Sequence, residues 1–78
     1  MARRPLHHMP DDVAKALRSG KVRGDYDARP HYQRNDYIGW INQAKSDATR
    51  RKRVDQMVSE LKSGGVYMGM KHKPSTKR

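Results

Sequence analysis

The sequence contains no cysteine, which excludes a disulfide framework and a thiolate zinc site and leaves packing alone to hold the fold. No run of roughly 18 apolar residues occurs, so no membrane-spanning helix is encoded. Negative charge is scarce: 8 Asp and Glu stand against 18 Lys and Arg, for a formal net charge of +10. Apolar material is scarce as well, since hydrophobic residues make up 33% of the chain and charged residues another 33%, a balance that leaves part of the length without a core to join. At 78 residues there is room for one domain, and a chain this short buries about 60–65% of the surface its unfolded form exposes. Its core is expected to be small and local.

The N-terminal Met1-Ala2-Arg3-Arg4-Pro5-Leu6-His7-His8 begins with charge as a signal peptide does, but no apolar stretch follows it, and a cytoplasmic location is expected. The excess of positive charge predicts attraction to polyanions, with nucleic acid and anionic lipid as the generic candidates and a soluble protein with a basic surface as the plain alternative. Charge alone does not separate these.

Residues 1–9 hold Arg, Pro and His without helical or strand period and read as a flexible lead-in. Pro10-Asp11-Asp12 then combines a first-turn proline with carboxylates suited to the positive end of a helix. Val13 and Leu17 share a face, and Gly20 is placed as a left-handed cap, which predicts a helix over 10–19. Residues 21–30 contain Gly24, further turn formers and Pro30, and read as a connection. Tyr26 is its one large apolar residue and either plugs the core or stands in solvent.

From 31 to 45 the residues Tyr37, Ile38, Trp40, Ile41 and Ala44 recur at spacings of three and four, the helical period. Ser46-Asp47 reads as a cap with an acidic first turn, so a third helix starts after a tight corner. Its apolar stripe is Val54, Met57, Val58 and Leu61, and Gly64-Gly65 ends it. The expected core is Val13, Leu17, Tyr26, Tyr37, Trp40, Ile41, Val54, Met57, Val58 and Leu61, with Trp40 as its largest member. Residues 66–78 form a basic, mostly disordered tail in this reading, with 66–70 either covering the hairpin or dangling. The fold class expected is therefore all-α: a small three-helix domain over 10–65 with a tight helical hairpin and disordered basic termini.

No Ser/His/Asp or Cys/His set, no paired catalytic carboxylates and no glycine-rich phosphate loop can be assembled at sensible spacing, so no enzyme is expected. His7 and His8 are adjacent where a helical metal site wants two histidines four apart, and His31 and His72 do not complete a ligand set, so neither metal nor cofactor is expected. The informative stretch is Thr49-Arg50-Arg51-Lys52-Arg53. On a wheel of about 100° per residue, Arg50 falls within the apolar arc, Arg51 and Arg53 flank it, and Lys52 points away. Arg34 lies beside Tyr37 and Ile41 in the same way. A guanidinium aimed at a core must reach water or meet acceptors. Arg34 and Arg50 therefore either pair with carboxylates or helix-end carbonyls and stack on Trp40 or a Tyr, or line a concave anion site.

The string Tyr26-x-x-x-Pro30-x-x-x-Arg34-x-x-Tyr37-Ile38-x-Trp40-Ile41-x-x-Ala44-Lys45-x-x-x-Thr49-Arg50-x-x-Arg53-Val54-x-x-Met57-Val58-x-x-Leu61-x-x-Gly64 resembles the C-terminal helical module of the bacteriocin-protection, YdeI or OmpD-associated family. The resemblance covers about half the chain, or two thirds with the helix preceding the motif. Tyr26 stands where that family tends to have Phe, Arg29 where it has an aliphatic residue, and Ala48 where Glu usually precedes Thr-Arg. The absent Glu removes one carboxylate that could have paired a nearby arginine. The resemblance implies a helical fold, no established enzymatic activity, and, by the family's name, a link to bacteriocins or cationic peptides and to a porin. At +10 sequestration of cationic peptides is implausible, because like charges repel. Protection then has to act by occupying anionic targets or through another protein.

The function expected is a small non-enzymatic binding module, monomeric, whose partner is an unknown protein or a polyanion. The candidate anion- or partner-binding residues are Arg34, Lys45, Thr49, Arg50, Arg51, Lys52 and Arg53. The alternative is a non-specific nucleic-acid-binding protein that uses the arginine cluster and the Lys-rich tail on phosphates. Sequence-specific base readout is not expected, because helix three offers few base-reading side chains beyond Arg.

Overall fold

Thin apolar content leads to a helical assembly wrapped on one long helix. The computed structural model describes residues 7–76, so the expected lead-in over 1–6 and the last two residues of the expected tail lie outside the described residues. The elements are α1 (Asp11–Ser19), α2 (Arg23–Asp27), α3 (His31–Asn42), α4 (Asp47–Ser63), β1 (Val66–Tyr67), β2 (Met70–Lys71) and a 3-10 turn at Lys73–Ser75. The all-α class holds, with four helices among the described residues in place of three. Contacts from α1, α2, α3 and β1 all converge on α4.

The core residues are Val13, Leu17, Val22, Tyr26, Tyr37, Ile38, Ile41, Val54, Met57, Leu61 and Tyr67. Full burial of a side chain such as Leu17 or Met57 contributes about 1.5–3 kcal/mol, so the cluster holds helices that would be marginal alone. Tyr26 is the plug: its ring is buried and its hydroxyl reaches Arg34 O at 3.4 Å. Trp40 and Val58 are only partly buried and pack on the rim. Tyr37 takes the central place expected of Trp40, because it stands on the α3 face turned to α4.

The connection at 21–30 is partly helical. It contains α2, whose Arg23 and Asp27 pair across one turn at 3.1 Å. Gly20 is not the left-handed cap; its φ is −81°, and Lys21 takes the left-handed conformation at φ 58°. Gly20 is needed for close approach, since a Cβ there would sit 2.8 Å from Val58 Cγ1. Gly64 does end α4 with φ 69°.

The segment beyond Gly65, expected as a tail, is built into the fold as far as Thr76. Val66 pairs with Lys71 and Tyr67 with Met70 in an antiparallel hairpin. Its two-residue turn has Met68 at φ 48° and Gly69 at φ 81°, both positive as a tight hairpin turn of the primed type requires. Tyr67 is buried edge-on against Tyr37, with ring centroids 5.3 Å apart at 82°, and its hydroxyl donates to Asp36 Oδ2 at 2.9 Å.

Glu60 anchors this hairpin. Its carboxylate, buried at 7% exposure, accepts from Met68 N at 2.7 Å, Gly69 N at 2.8 Å, the Tyr37 hydroxyl at 2.5 Å and Gln56 Nε2 at 3.1 Å. Two backbone donors from the turn and two side chains therefore satisfy a charge that burial would otherwise penalise. Arg29, buried beside it, donates to Gln33 Oε1 at 3.2 Å and to Glu60 O at 3.4 Å, which places a cation on the carbonyl end of α4.

Glu60→Ala is expected to destabilise the protein by about 3–5 kcal/mol, because it leaves Met68 N, Gly69 N and the Tyr37 hydroxyl without an acceptor. Tyr37→Phe removes one charge-assisted bond and is expected to cost about 1.5–3 kcal/mol. Burial, reinforced by the Glu60 carboxylate, raises the pKa of the Tyr37 phenol well above its ordinary value. A raised folded-state value gives stability that is complete below about pH 10, the unfolded value, and lost as pH rises beyond it. Urea titrations across the alkaline range should show that loss, and Tyr37→Phe should blunt it.

Candidate functional site

The basic corner between α3 and α4 is built by local capping. Ser46 caps α4, its Oγ accepting from Thr49 N at 3.1 Å and pairing with Thr49 Oγ1 at 3.0 Å. Ala44 N donates to Ile41 O at 3.1 Å as α3 ends. This brings the first turns of α4 against the carbonyl end of α3, where cations are favoured.

Arg50 makes the central contact. Its Nε and Nη2 donate to Asp12 Oδ2 at 2.7 Å and Oδ1 at 2.9 Å, and its Nη1 donates to Asn42 Oδ1 at 3.1 Å and to Ile41 O at 3.5 Å. One guanidinium thus ties α1 to the α3–α4 corner with a two-point carboxylate contact. Hydrogen bonding to Arg50 holds the Asp12 carboxyl below its ordinary pKa. Asp12 supplies the carboxylate that Ala48 does not. Arg53 donates from Nη1 to Trp40 O at 2.6 Å and lies 5.3 Å from the centre of the Trp40 ring, so it is Arg53 that stacks on the tryptophan.

The seven candidate residues fall into three groups. Thr49, Arg50 and Arg53 are engaged in holding the corner. Lys45, Arg51 and Lys52 are exposed and form no hydrogen bond or ion pair among the described residues. Arg34 is elsewhere, in a cavity of about 220 Å³ between residues 7–9, α2 and α3. Its Nε is buried without a hydrogen-bond partner.

Several residues with a structural part in these sites were not singled out from the sequence. Glu60 sits three residues after Met57 on the inner arc of α4, in the last turn where a carboxylate opposes the helix dipole; that misplaced charge was the available signal. His7 has its backbone N bonded to Asn35 Oδ1 at 2.8 Å, and its ring lies against Gly39, where an added Cβ would come within 2.7 Å of His7 Nε2. Nothing in the periodicity pointed to that contact.

Among the described residues no group of three or more His, Asp or Glu is gathered to hold a metal ion, and no helix is long and apolar enough to cross a membrane. The chain matches the family described as bacteriocin-protection, YdeI or OmpD-associated over residues 7–64. No curated protein and no solved structure matches it at a significant level.

The corner analysis predicts unequal costs for neighbouring cations. Arg50→Ala should lower the melting temperature clearly, since it frees Asp12 and uncaps α3, while Lys52→Ala should change stability by no more than about 0.5 kcal/mol. A lowered folded-state value at Asp12 gives stability that is present above the unfolded carboxylate pKa and lost as pH falls through the folded one. Carboxyl NMR titration of Arg50→Ala should therefore show the Asp12 midpoint moving up, with a flatter acid limb in the stability profile.

Proposed function

The chain belongs to the bacteriocin-protection, YdeI or OmpD-associated family, and we propose that it acts there as a small, cytoplasmic, non-enzymatic binding module whose basic corner docks on an acidic surface of another protein. The observation that carries this reading is the division of labour at the corner. Arg50 and Arg53 are spent on carbonyls, a carboxylate and an indole, while Lys45, Arg51 and Lys52 beside them face solvent without a counter-ion among the described residues. Their backbone is pinned by Ser46 and by the Arg50 contact with α1, so the three cations are presented from a rigid support.

Exposed ion pairs contribute little each, about 0.2–1 kcal/mol. A corner of this kind therefore binds through several weak contacts, with fast, electrostatically steered association and marked salt sensitivity. Such a module suits a regulated or transient contact. A link to resistance against bacteriocins or cationic peptides then runs through the partner, or through cover given to an anionic surface that such peptides attack, because a chain at +10 repels cationic peptides.

Fluorescence anisotropy with a labelled glutamate-rich peptide tests this. The Arg51→Ala, Lys52→Ala double variant should keep the parent melting temperature and bind the peptide about 2–30-fold more weakly, two exposed contacts' worth. Unchanged affinity would remove the corner as the docking face. Nucleic acid carried through purification and released by salt, with a duplex-DNA salt slope that drops by about two in the double variant, would assign the same face to a polyanion instead.

A further inference from the structure

We infer that the cavity between residues 7–9, α2 and α3 is a carboxylate-binding pocket whose principal ligand-contacting residue is Arg34. A guanidinium N–H that is buried needs an acceptor, since water no longer supplies one. Arg34 Nε is in that position: it is buried, it has no hydrogen-bond partner, and the side chain lines a cavity of about 220 Å³. A single water needs only about 10–15 Å³ of such space, so the pocket has room for a multi-atom ligand.

The charge balance selects the anion. The other arginine on the wall, Arg23, is already matched by Asp27, with Nε to Oδ1 at 3.1 Å. That leaves Arg34 as the arginine of this wall without an ion-pair partner among the described residues. One unmatched charge facing a wall that also carries Asp27 favours a monoanion over a dianion, because a second negative charge on the ligand would meet the Asp27 carboxylate. The Nε side of a guanidinium offers two parallel donors to a planar carboxylate.

Two imidazoles complete the wall. His31 starts α3 one turn before Arg34, and His7 is held over the cavity by its backbone bond to Asn35 Oδ1 and by the bare face of Gly39. Each neutral imidazole has one N–H to donate. Met9 and Ile38 line the remainder, which suits the methylene stem of an aspartate or glutamate side chain or of a small aliphatic acid. The pocket is separate from the corner residues, and it rests on the acidic-partner reading only for the source of the carboxylate.

The test is an NMR titration of the intact, ¹⁵N-labelled chain that follows the Arg34 Nε–H signal, with butyrate, the blocked dipeptide-like probe N-acetylglutamate amide, inorganic phosphate and chloride at matched ionic strength. The expected result is a saturable shift of that signal with both carboxylates, at least about tenfold stronger than with phosphate, and no saturable shift with chloride. Arg34→Lys, which keeps the charge but not the two-donor fork, should weaken carboxylate binding by about tenfold or more while the melt stays cooperative. Stronger binding of the blocked glutamate points to a partner's side chain, and stronger binding of butyrate to a free small acid. A signal that moves with chloride as it does with butyrate, tighter binding of phosphate, or full carboxylate affinity in Arg34→Lys would overturn the assignment. The Arg51→Ala, Lys52→Ala variant should bind butyrate like the parent, so failure of the pocket and failure of the corner are read separately.

Discussion

The buried carboxylate of Glu60 is the contact on which the closed form of this protein depends. It joins four donors from three parts of the fold: a tyrosine of α3, a glutamine of its own helix and two backbone N–H groups of the hairpin turn. Without that acceptor the turn would lose the partner of two part-buried bonds, and Met68 would hold a positive φ with no compensation. With it, the hairpin is drawn onto the helices, and Tyr67 is delivered against Tyr37. A chain with so little hydrophobic material closes its core by charge-assisted hydrogen bonds as well as by burial.

The arginines complete the same strategy from the other side. Arg29 lies on the carbonyl end of α4, and Arg50 and Arg53 lie on the carbonyl end of α3. Helix C-termini carry unsatisfied carbonyls and partial negative charge, and a chain with an excess of cations can supply their partners from side chains. Part of the +10 is thereby internal scaffolding. The charge left for interaction is smaller and more localised than composition suggests, which argues for discrete contacts over a diffuse polyanion surface.

Much of the helical frame was legible because it follows from period and punctuation. Ser46 before Asp47, the 54-57-58-61 stripe and Gly64 place α4 nearly to the residue, and the inward direction of Arg50 follows from the wheel. What was not legible depended on long-range partners. Residues 66–76 look like a solvated tail until Glu60 is known to receive Met68 N and Gly69 N, a pairing that neither hydropathy nor a Met-Gly turn signals. Trp40 looked like the centre of the core by size, yet its place at the end of α3 makes it the platform for Arg53. Arg34 and Arg50 were equivalent on the wheel. They diverge only because Asp12 of α1 folds onto one of them and leaves the other in a cavity.

That divergence links stability to recognition. Arg50 has its acceptors within the fold, so its contribution is present whatever the protein is bound to. Arg34 has a buried donor still open, and a native state that carries such a donor is less stable than one in which it is filled. Any ligand that supplies the acceptor binds the folded chain and not the unfolded one, and so raises stability in proportion to the logarithm of its concentration over its dissociation constant. For a domain with a small core and a thin margin, occupancy of that one side chain shifts the balance between the closed chain and its partly open forms. The residue that makes the fold incomplete is then also the one through which a partner can tighten it.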